Sequence, residues 1–157
     1  MDTLRIVELD PTHQRWDDVV DLADSILDQA RYLTKKLAWA DESHVLGAFH
    51  GDRCVGFLRF TVQVIGSEEG RTPVVHEDEA LREGFVEAFG VEPDARRAGV
   101  GTALQRRAIE QSRAAGCWQM RSRSPITSTE NDALKLDAGY VLDPSEENDS
   151  YYFLLKL

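Results

Sequence analysis

Fourteen residues near the middle of the chain leave it little freedom in how to fold: Val91-Glu92-Pro93-Asp94-Ala95-Arg96-Arg97-Ala98-Gly99-Val100-Gly101-Thr102-Ala103-Leu104. They read as a strand end, a turn, a pair of arginines, two glycines with one residue between them, and a helix start. The apolar run Gly84-Phe85-Val86-Glu87-Ala88-Phe89-Gly90 precedes them and carries one acid. Ala103, Leu104, Ala108, Ile109 and Ala115 recur at helical spacing. A glycine-bearing loop that opens a helix leaves backbone N–H groups free at the positive end of the helix dipole, and such an end binds phosphate. The glycines let the backbone approach an anion with no side chain in the way.

Charge sharpens this reading. The chain carries a formal net charge of −10, from 18 Lys+Arg and 28 Asp+Glu. From Arg96 to Arg113 the sign reverses: Arg96, Arg97, Arg106, Arg107 and Arg113 stand against Glu110 alone, a net of +4. A basic island on an acidic protein points to a local polyanionic ligand and away from a nucleic-acid surface. Two common phosphate loops fit poorly. The Walker pattern needs a lysine after the last glycine, where Thr102 stands, and the dinucleotide fingerprint needs a third glycine, where Leu104 stands.

Arg96, Gly99 and Gly101 fill the fixed positions of R/Q-x-x-G-x-G/A, behind a strand that ends Phe-Gly-Val-Glu-Pro. In this the sequence closely resembles the GCN5-related N-acetyltransferases, the GNAT family, from Gly84 to Ser124. The resemblance implies an α/β fold, the GNAT acyl-CoA N-acyltransferase fold: a mixed central sheet flanked by helices, with two parallel strands splayed so that a thioester enters between them. It implies acetyl-CoA as acyl donor and no metal. Backbone amides of Arg96, Arg97, Ala98, Gly99, Val100, Gly101 and Thr102 would cradle the pyrophosphate, with charge from Arg96 and Arg97. Phe89, Gly90 and Val91 would line the pantetheine arm, and the Val91 N–H would polarise the thioester carbonyl. Asn131 is expected to touch the coenzyme. Family habit is the sole ground for expecting a homodimer.

Acetyl transfer to an amine needs that amine neutral. An alkyl ammonium titrates near 10.4, so neutrality near pH 7 costs roughly 4 kcal/mol. A carboxylate can take the proton, directly or through water. Glu87 is the candidate, because alternation places it on one strand face with Phe85, Phe89 and Val91. An acid among apolar neighbours is functional or paired. A glutamate stands in a similar place in some small-molecule members, including aminoglycoside acetyltransferases. The last third departs from the family. Many members carry Asn-x-x-Ala-x-x-x-Tyr-x-x-x-Gly-Phe, whose tyrosine protonates the leaving thiolate. Asn131, Ala133, Gly139 and Tyr140 align with it when the spacing before Gly139 is shortened, and counting back from Gly139 puts Lys135 at the tyrosine position. Lys135 is expected to face solvent, with coenzyme phosphate as its alternative partner. Tyr140 takes the structural aromatic position.

The rest of the chain reads coarsely. Leu4–Leu9 is a strand, Asp10 or Thr12 is the candidate cap of the next helix, and Trp16 to Ala30 is one amphipathic helix or a broken pair. Tyr32 to Ala40 is ambiguous, and its Tyr32 and Trp39 are candidates for an acceptor pocket. His44–His50 and Cys54–Ile65 form a hairpin about Gly51-Asp52-Arg53. Gly66 to Arg82 is a polar excursion. A helix from Gly101 stops at Gly116, a strand covers Trp118–Ser124, a helix over Glu130–Ala138 stops at Gly139, and Tyr151–Leu157 is the final strand. Trp16, Trp39 and Trp118 are expected to pack. His44, His50 and His76 have no evident partners as metal ligands, and Cys54 and Cys117 read as buried free thiols.

At 157 residues the chain is expected to be one domain. It shows no basic-then-apolar leader and no membrane-length apolar run, so a cytoplasmic protein is expected. The resulting expectation is an N-acetyltransferase that uses acetyl-CoA on a primary amine of a small cationic molecule. A protein N-terminus or lysine is the alternative acceptor. The rivals are a non-catalytic acyl-CoA-binding regulatory domain and an ATP-type nucleotide module.

Overall fold

The computed structural model describes residues 3–125, 129–147 and 150–157. In chain order the elements are β1 (Leu4–Leu9), α1 (Trp16–Ser25), α2 (Ala30–Thr34), β2 (Glu42–His50), β3 (Arg53–Val64), β4 (Val75–His76), β5 (Glu79–Ala80) and β6 (Arg82–Val91). They continue as α3 (Val100–Ala114), β7 (Gln119–Pro125), α4 (Thr129–Asp137), β8 (Val141–Glu147) and β9 (Ser150–Lys156). Seven strands form a mixed sheet in the order β1-β2-β3-β6-β7-β9-β8, with helices between them, and β4 and β5 pair separately. The pair β6–β7 is parallel and registers Glu83 with Gln119 through Val86 with Ser122, while β6 itself runs on to Val91.

Local chemistry explains most boundaries. The helical stretch after β1 is the broken pair: Leu27 and Asp28 have φ of 55° and 52°, a left-handed step that no helix continues through. Asp10 does not cap α1. Its carboxylate accepts the Thr12 N–H at 2.8 Å, and α1 begins after Arg15 with no side-chain cap. Gly116 and Gly139, at φ 80° and 101°, terminate α3 and α4. The polar excursion contains a hairpin that its sequence does not announce, because Glu77 and Asp78 adopt φ of 51° and 66° where glycine or asparagine is usual.

The chain falls into two compact units. The first comprises Met1–Ala38, Ser43–Phe60 and Glu87–Ala108. Its apolar core joins Leu9, Val19, Ala23, Leu33, Val45, Phe49, Phe57 and Ala88, with Trp16 and Ile26 packed at the margin. The second comprises Trp39–Glu42, Thr61–Val86 and Ile109–Leu157. Its interior is markedly polar. Buried Glu83 accepts from Gln63 at 3.2 Å and from Arg121 Nη2 at 2.8 Å and Nε at 3.0 Å. Arg121 also pairs with Glu68 and lies 4.5 Å from the Phe85 ring centroid. Burial works against the charge on Arg121, but Glu83 and Glu68 outweigh it and hold the guanidinium above its ordinary range.

Candidate active site

The end of β6, the glycine loop and the mouth of α3 all belong to the first unit. At one end β3 bonds to the segment after β6, through Glu92 N–H to the Val55 carbonyl at 2.9 Å. At the other end, in the second unit, Ile65 N–H bonds the Leu81 carbonyl at 3.0 Å. Between these bonds the chain takes eleven steps from Leu81 to Glu92 against ten from Val55 to Ile65, so β6 carries one extra residue, a β-bulge. Burial nonetheless alternates from Phe85 onward, with Phe85 half-buried and Val86 buried. Within the first unit the pattern is regular: Glu87, Phe89 and Val91 are half-buried while Ala88 and Gly90 are buried.

Phe89 has its main chain engaged on both sides. Its N–H donates to Gln29 Oε1 at 3.0 Å, and its carbonyl accepts from Gln29 Nε2 at 3.1 Å. Gly90 is glycine for packing, since a Cβ there would stand 2.7 Å from the Phe57 ring. The Val91 carbonyl accepts from Arg96 Nε at 3.2 Å, which folds the loop back onto the strand end. Arg53 pairs with Glu92 at 2.5 Å and ties the start of β3 to the same place.

The glycine loop opens α3 as the sequence requires. Arg96, Arg97, Ala98 and Gly99 are exposed, Arg97 has φ 67° and Gly99 has φ 80°. A Cβ at Gly99 would meet nothing within 4 Å, so backbone conformation and not crowding demands glycine there. The Gly99 carbonyl accepts the Ala103 N–H at 3.0 Å, and the amides ahead of Ala103 have no acceptor within the helix. The first turn carries no acid. Val100 is buried against β3, where a Cβ on Gly56 would lie 2.8 Å from its Cγ1 and 3.0 Å from Leu104 Cδ1. Gly56 therefore sets how closely the mouth of α3 approaches the sheet. Such a mouth, with amides that lack an acceptor within the helix and no acid in its first turn, fits a diphosphate.

Gln29 and Gly56 are the site residues that sequence reasoning missed. Gly56 had a signal, a glycine inside a strand pattern; Gln29 had none.

The second unit holds Asn131, Lys135, Tyr140, Trp118 and Cys117, while Cys54 lies in the first. Asn131 lies half-buried on α4. Lys135 does not face solvent: it is 2% exposed, and its Nζ donates to Ser124 Oγ at 2.5 Å and to the Arg123 carbonyl at 3.3 Å. Tyr140 is buried, and burial pushes its phenol well above the ordinary range. Trp118 is not packed inside but exposed, with Lys156 Nζ 3.8 Å from its ring centroid. A cavity of about 310 Å³ is lined by Ile65, Gly66, Glu69, Arg71, Arg121, Asp143 and Tyr152, none of them a candidate from the sequence. Cys54 and Cys117 are free, and burial pushes both thiols up to about 11. Among the described residues no group of three His, Cys, Asp or Glu is placed to hold a metal ion, and no helix is long and apolar enough to cross a membrane.

The family model for the GNAT acetyltransferases matches residues 12–133, and the chain belongs to that family. Solved structures share its fold over nearly the full length. Arabidopsis thaliana NAA60 in complex with acetyl-CoA is 12% identical, with 99% of each chain covered and a TM-score of 0.77. The GNAT domain of PAT from S. lividans is 19% identical, covering 98% of this chain and 90% of its own, at 0.71. A Bacillus subtilis acetyltransferase in complex with CoA is 17% identical, with 99% of each chain covered, at 0.66. No curated protein matches the sequence.

Proposed function

We propose that the chain is a single N-acetyltransferase domain that moves an acetyl group from acetyl-CoA to a primary amine of a small cationic molecule. The observation that carries this reading is the mouth of α3: Gly99 at φ 80° with open space beyond it, and a first turn without acids. Amides from Arg97 to Thr102 hold the pyrophosphate, and the exposed guanidiniums of Arg96 and Arg97 add charge. Asn131 contacts the coenzyme. The Val91 N–H stabilises negative charge on the acyl oxygen. Glu87 accepts the proton of the attacking ammonium, so that the nitrogen lone pair forms the C–N bond as the C–S bond breaks and the thiolate departs. A coenzyme thiolate leaves readily near neutral pH, so no tyrosine is required of α4. The negative net charge draws a cationic acceptor toward the protein.

A non-catalytic acyl-CoA-binding role is the second reading, favoured by one observation: the position given to the family's tyrosine holds buried Lys135. An amine-library screen that follows thiol release separates the two. Turnover on any amine, reduced at least ten-fold by Glu87→Gln with little change in coenzyme affinity, supports the enzyme. Binding of acetyl-CoA with no turnover on any amine or peptide supports the second reading.

A further inference from the structure

We propose that Gln29 sets the affinity for the coenzyme: its side-chain amide competes with the pantetheine arm for the main-chain N–H and C=O of Phe89. The inference rests on the reading of the α3 mouth as the diphosphate site. In β6 the main-chain groups of Glu92 and Gly90 face β3. The Glu92 N–H bonds the Val55 carbonyl at 2.9 Å, and a Cβ on Gly56 would stand 3.3 Å from the Gly90 carbonyl oxygen. Successive strand residues turn these groups to opposite sides, so Phe89 and Val91 present theirs to the other edge. On that edge the strand register ends at Val86 with Ser122. Past it, Phe89 bonds a side chain in place of a strand: its N–H donates to Gln29 Oε1 at 3.0 Å and its carbonyl accepts from Gln29 Nε2 at 3.1 Å. A primary carboxamide presents donor and acceptor side by side, so one residue satisfies both groups.

The edge that Gln29 occupies leads to the mouth of α3. The Val91 carbonyl on the same edge accepts from Arg96 Nε at 3.2 Å, where the glycine loop begins. An arm that leaves a diphosphate at Arg97–Thr102 runs back along this edge. It carries two secondary amides, the same donors and acceptors that Gln29 supplies, and main-chain groups of a strand edge bind such amides. The main chain of Gln29 is fixed. Its N–H donates to the Ala23 carbonyl at 2.9 Å, and its carbonyl accepts from Tyr32 at 3.0 Å and Leu33 at 3.1 Å. Ile26 seats the segment on β6, with its Cγ2 3.3 Å from where a Gly90 Cβ would stand. Displacement therefore takes only a side-chain rotation. Gln29 is half-buried and follows the exposed, left-handed Leu27 and Asp28, so the released amide reaches water.

Calorimetric titration tests this with coenzyme A and with its nucleotide portion, which keeps the diphosphate and lacks the pantetheine arm. Gln29→Ala is expected to bind coenzyme A roughly five- to thirty-fold more tightly than wild type, the worth of two net hydrogen bonds no longer broken on binding. It is expected to bind the nucleotide portion as wild type does. The side-chain amide signal of Gln29, assigned by its loss in Gln29→Ala, should move to the position of a solvated glutamine as coenzyme A saturates wild type. Should Gln29→Ala fail to fold, Gln29→Met keeps the length, removes both bonds and carries the same expectation. Coenzyme A affinity unchanged or weaker in the variants that fold, an equal gain for both ligands, or a Gln29 signal that stays put at saturation overturns the proposal and leaves the diphosphate site standing. Failure of both ligands to bind any of these proteins removes the diphosphate reading itself, and the proposal with it.

Discussion

Replacing Lys135 by methionine should change how stability depends on pH. The Lys135 amino group is held by Ser124 Oγ and the Arg123 carbonyl, and lies 5.1 Å from the Phe153 ring centroid. Burial pulls its pKa from 10.5 down to about 8, with Asp132 partly opposing. In that interval the unfolded chain keeps a proton that the folded chain has released. Unfolding therefore takes up a proton, and this group's contribution to stability rises with pH from about 8 to about 10.5. A gap of about 2.5 units is worth roughly 3 kcal/mol, and the full penalty stands at pH 7. Lys135→Met keeps the apolar stem and removes the titration. Urea unfolding of both proteins at pH 7 and pH 10.5 cancels every other titrating group in the difference. That difference should move in favour of wild type by about 3 kcal/mol on going to the higher pH. A difference that stays flat, or moves the other way, refutes the burial argument.

Three other outcomes are expected from the packing and the network. Gly56→Ala sets a methyl against Val100 and Leu104, and should lower stability by about 1–3 kcal/mol and weaken coenzyme A binding, read by thermal melts with and without coenzyme. Arg121→Met strands the buried Glu83 carboxylate and should cost about 3–5 kcal/mol in urea unfolding, whereas the double variant with Glu83→Gln should recover a large part of that loss. Cys54 and Cys117, with thiols pushed up to about 11, should react with a disulfide reagent at pH 8 far more slowly than free cysteine, and become fast on unfolding.

The family-defining part of the fold was legible because its signals are local. The glycines at 99, 116 and 139 each sit at a positive φ that ordinary residues avoid, and the spacing of Leu104 and Ala108 matches the buried face of α3. The strand β8 was not legible. It is an edge strand with Asp143, Pro144, Glu146 and Glu147 in it, so it shows no alternation for a reader to find. The β4–β5 hairpin hid for a similar reason, since its turn uses Glu77 and Asp78 in place of glycine or asparagine. Lys135 was misplaced because composition favours an exposed lysine, and its acceptors, Ser124 and the Arg123 carbonyl, are brought to it only by the tertiary fold. Gln29 and the extra residue in β6 belong to the same class. Gln29 is defined by a partner 60 residues away and the extra residue by bonds that span 37 and 16 residues, Glu92 to Val55 and Ile65 to Leu81, and no short pattern encodes such a meeting.

The central claim is that main-chain amides at the mouth of α3 grip a diphosphate. An amide ¹H–¹⁵N titration with coenzyme A addresses it residue by residue. Large shifts in the amides of Arg97, Ala98, Gly99, Val100, Gly101 and Thr102, saturating together and reproduced in part by inorganic pyrophosphate, are the predicted result. Saturable binding of coenzyme A that leaves those six amides unmoved would contradict it.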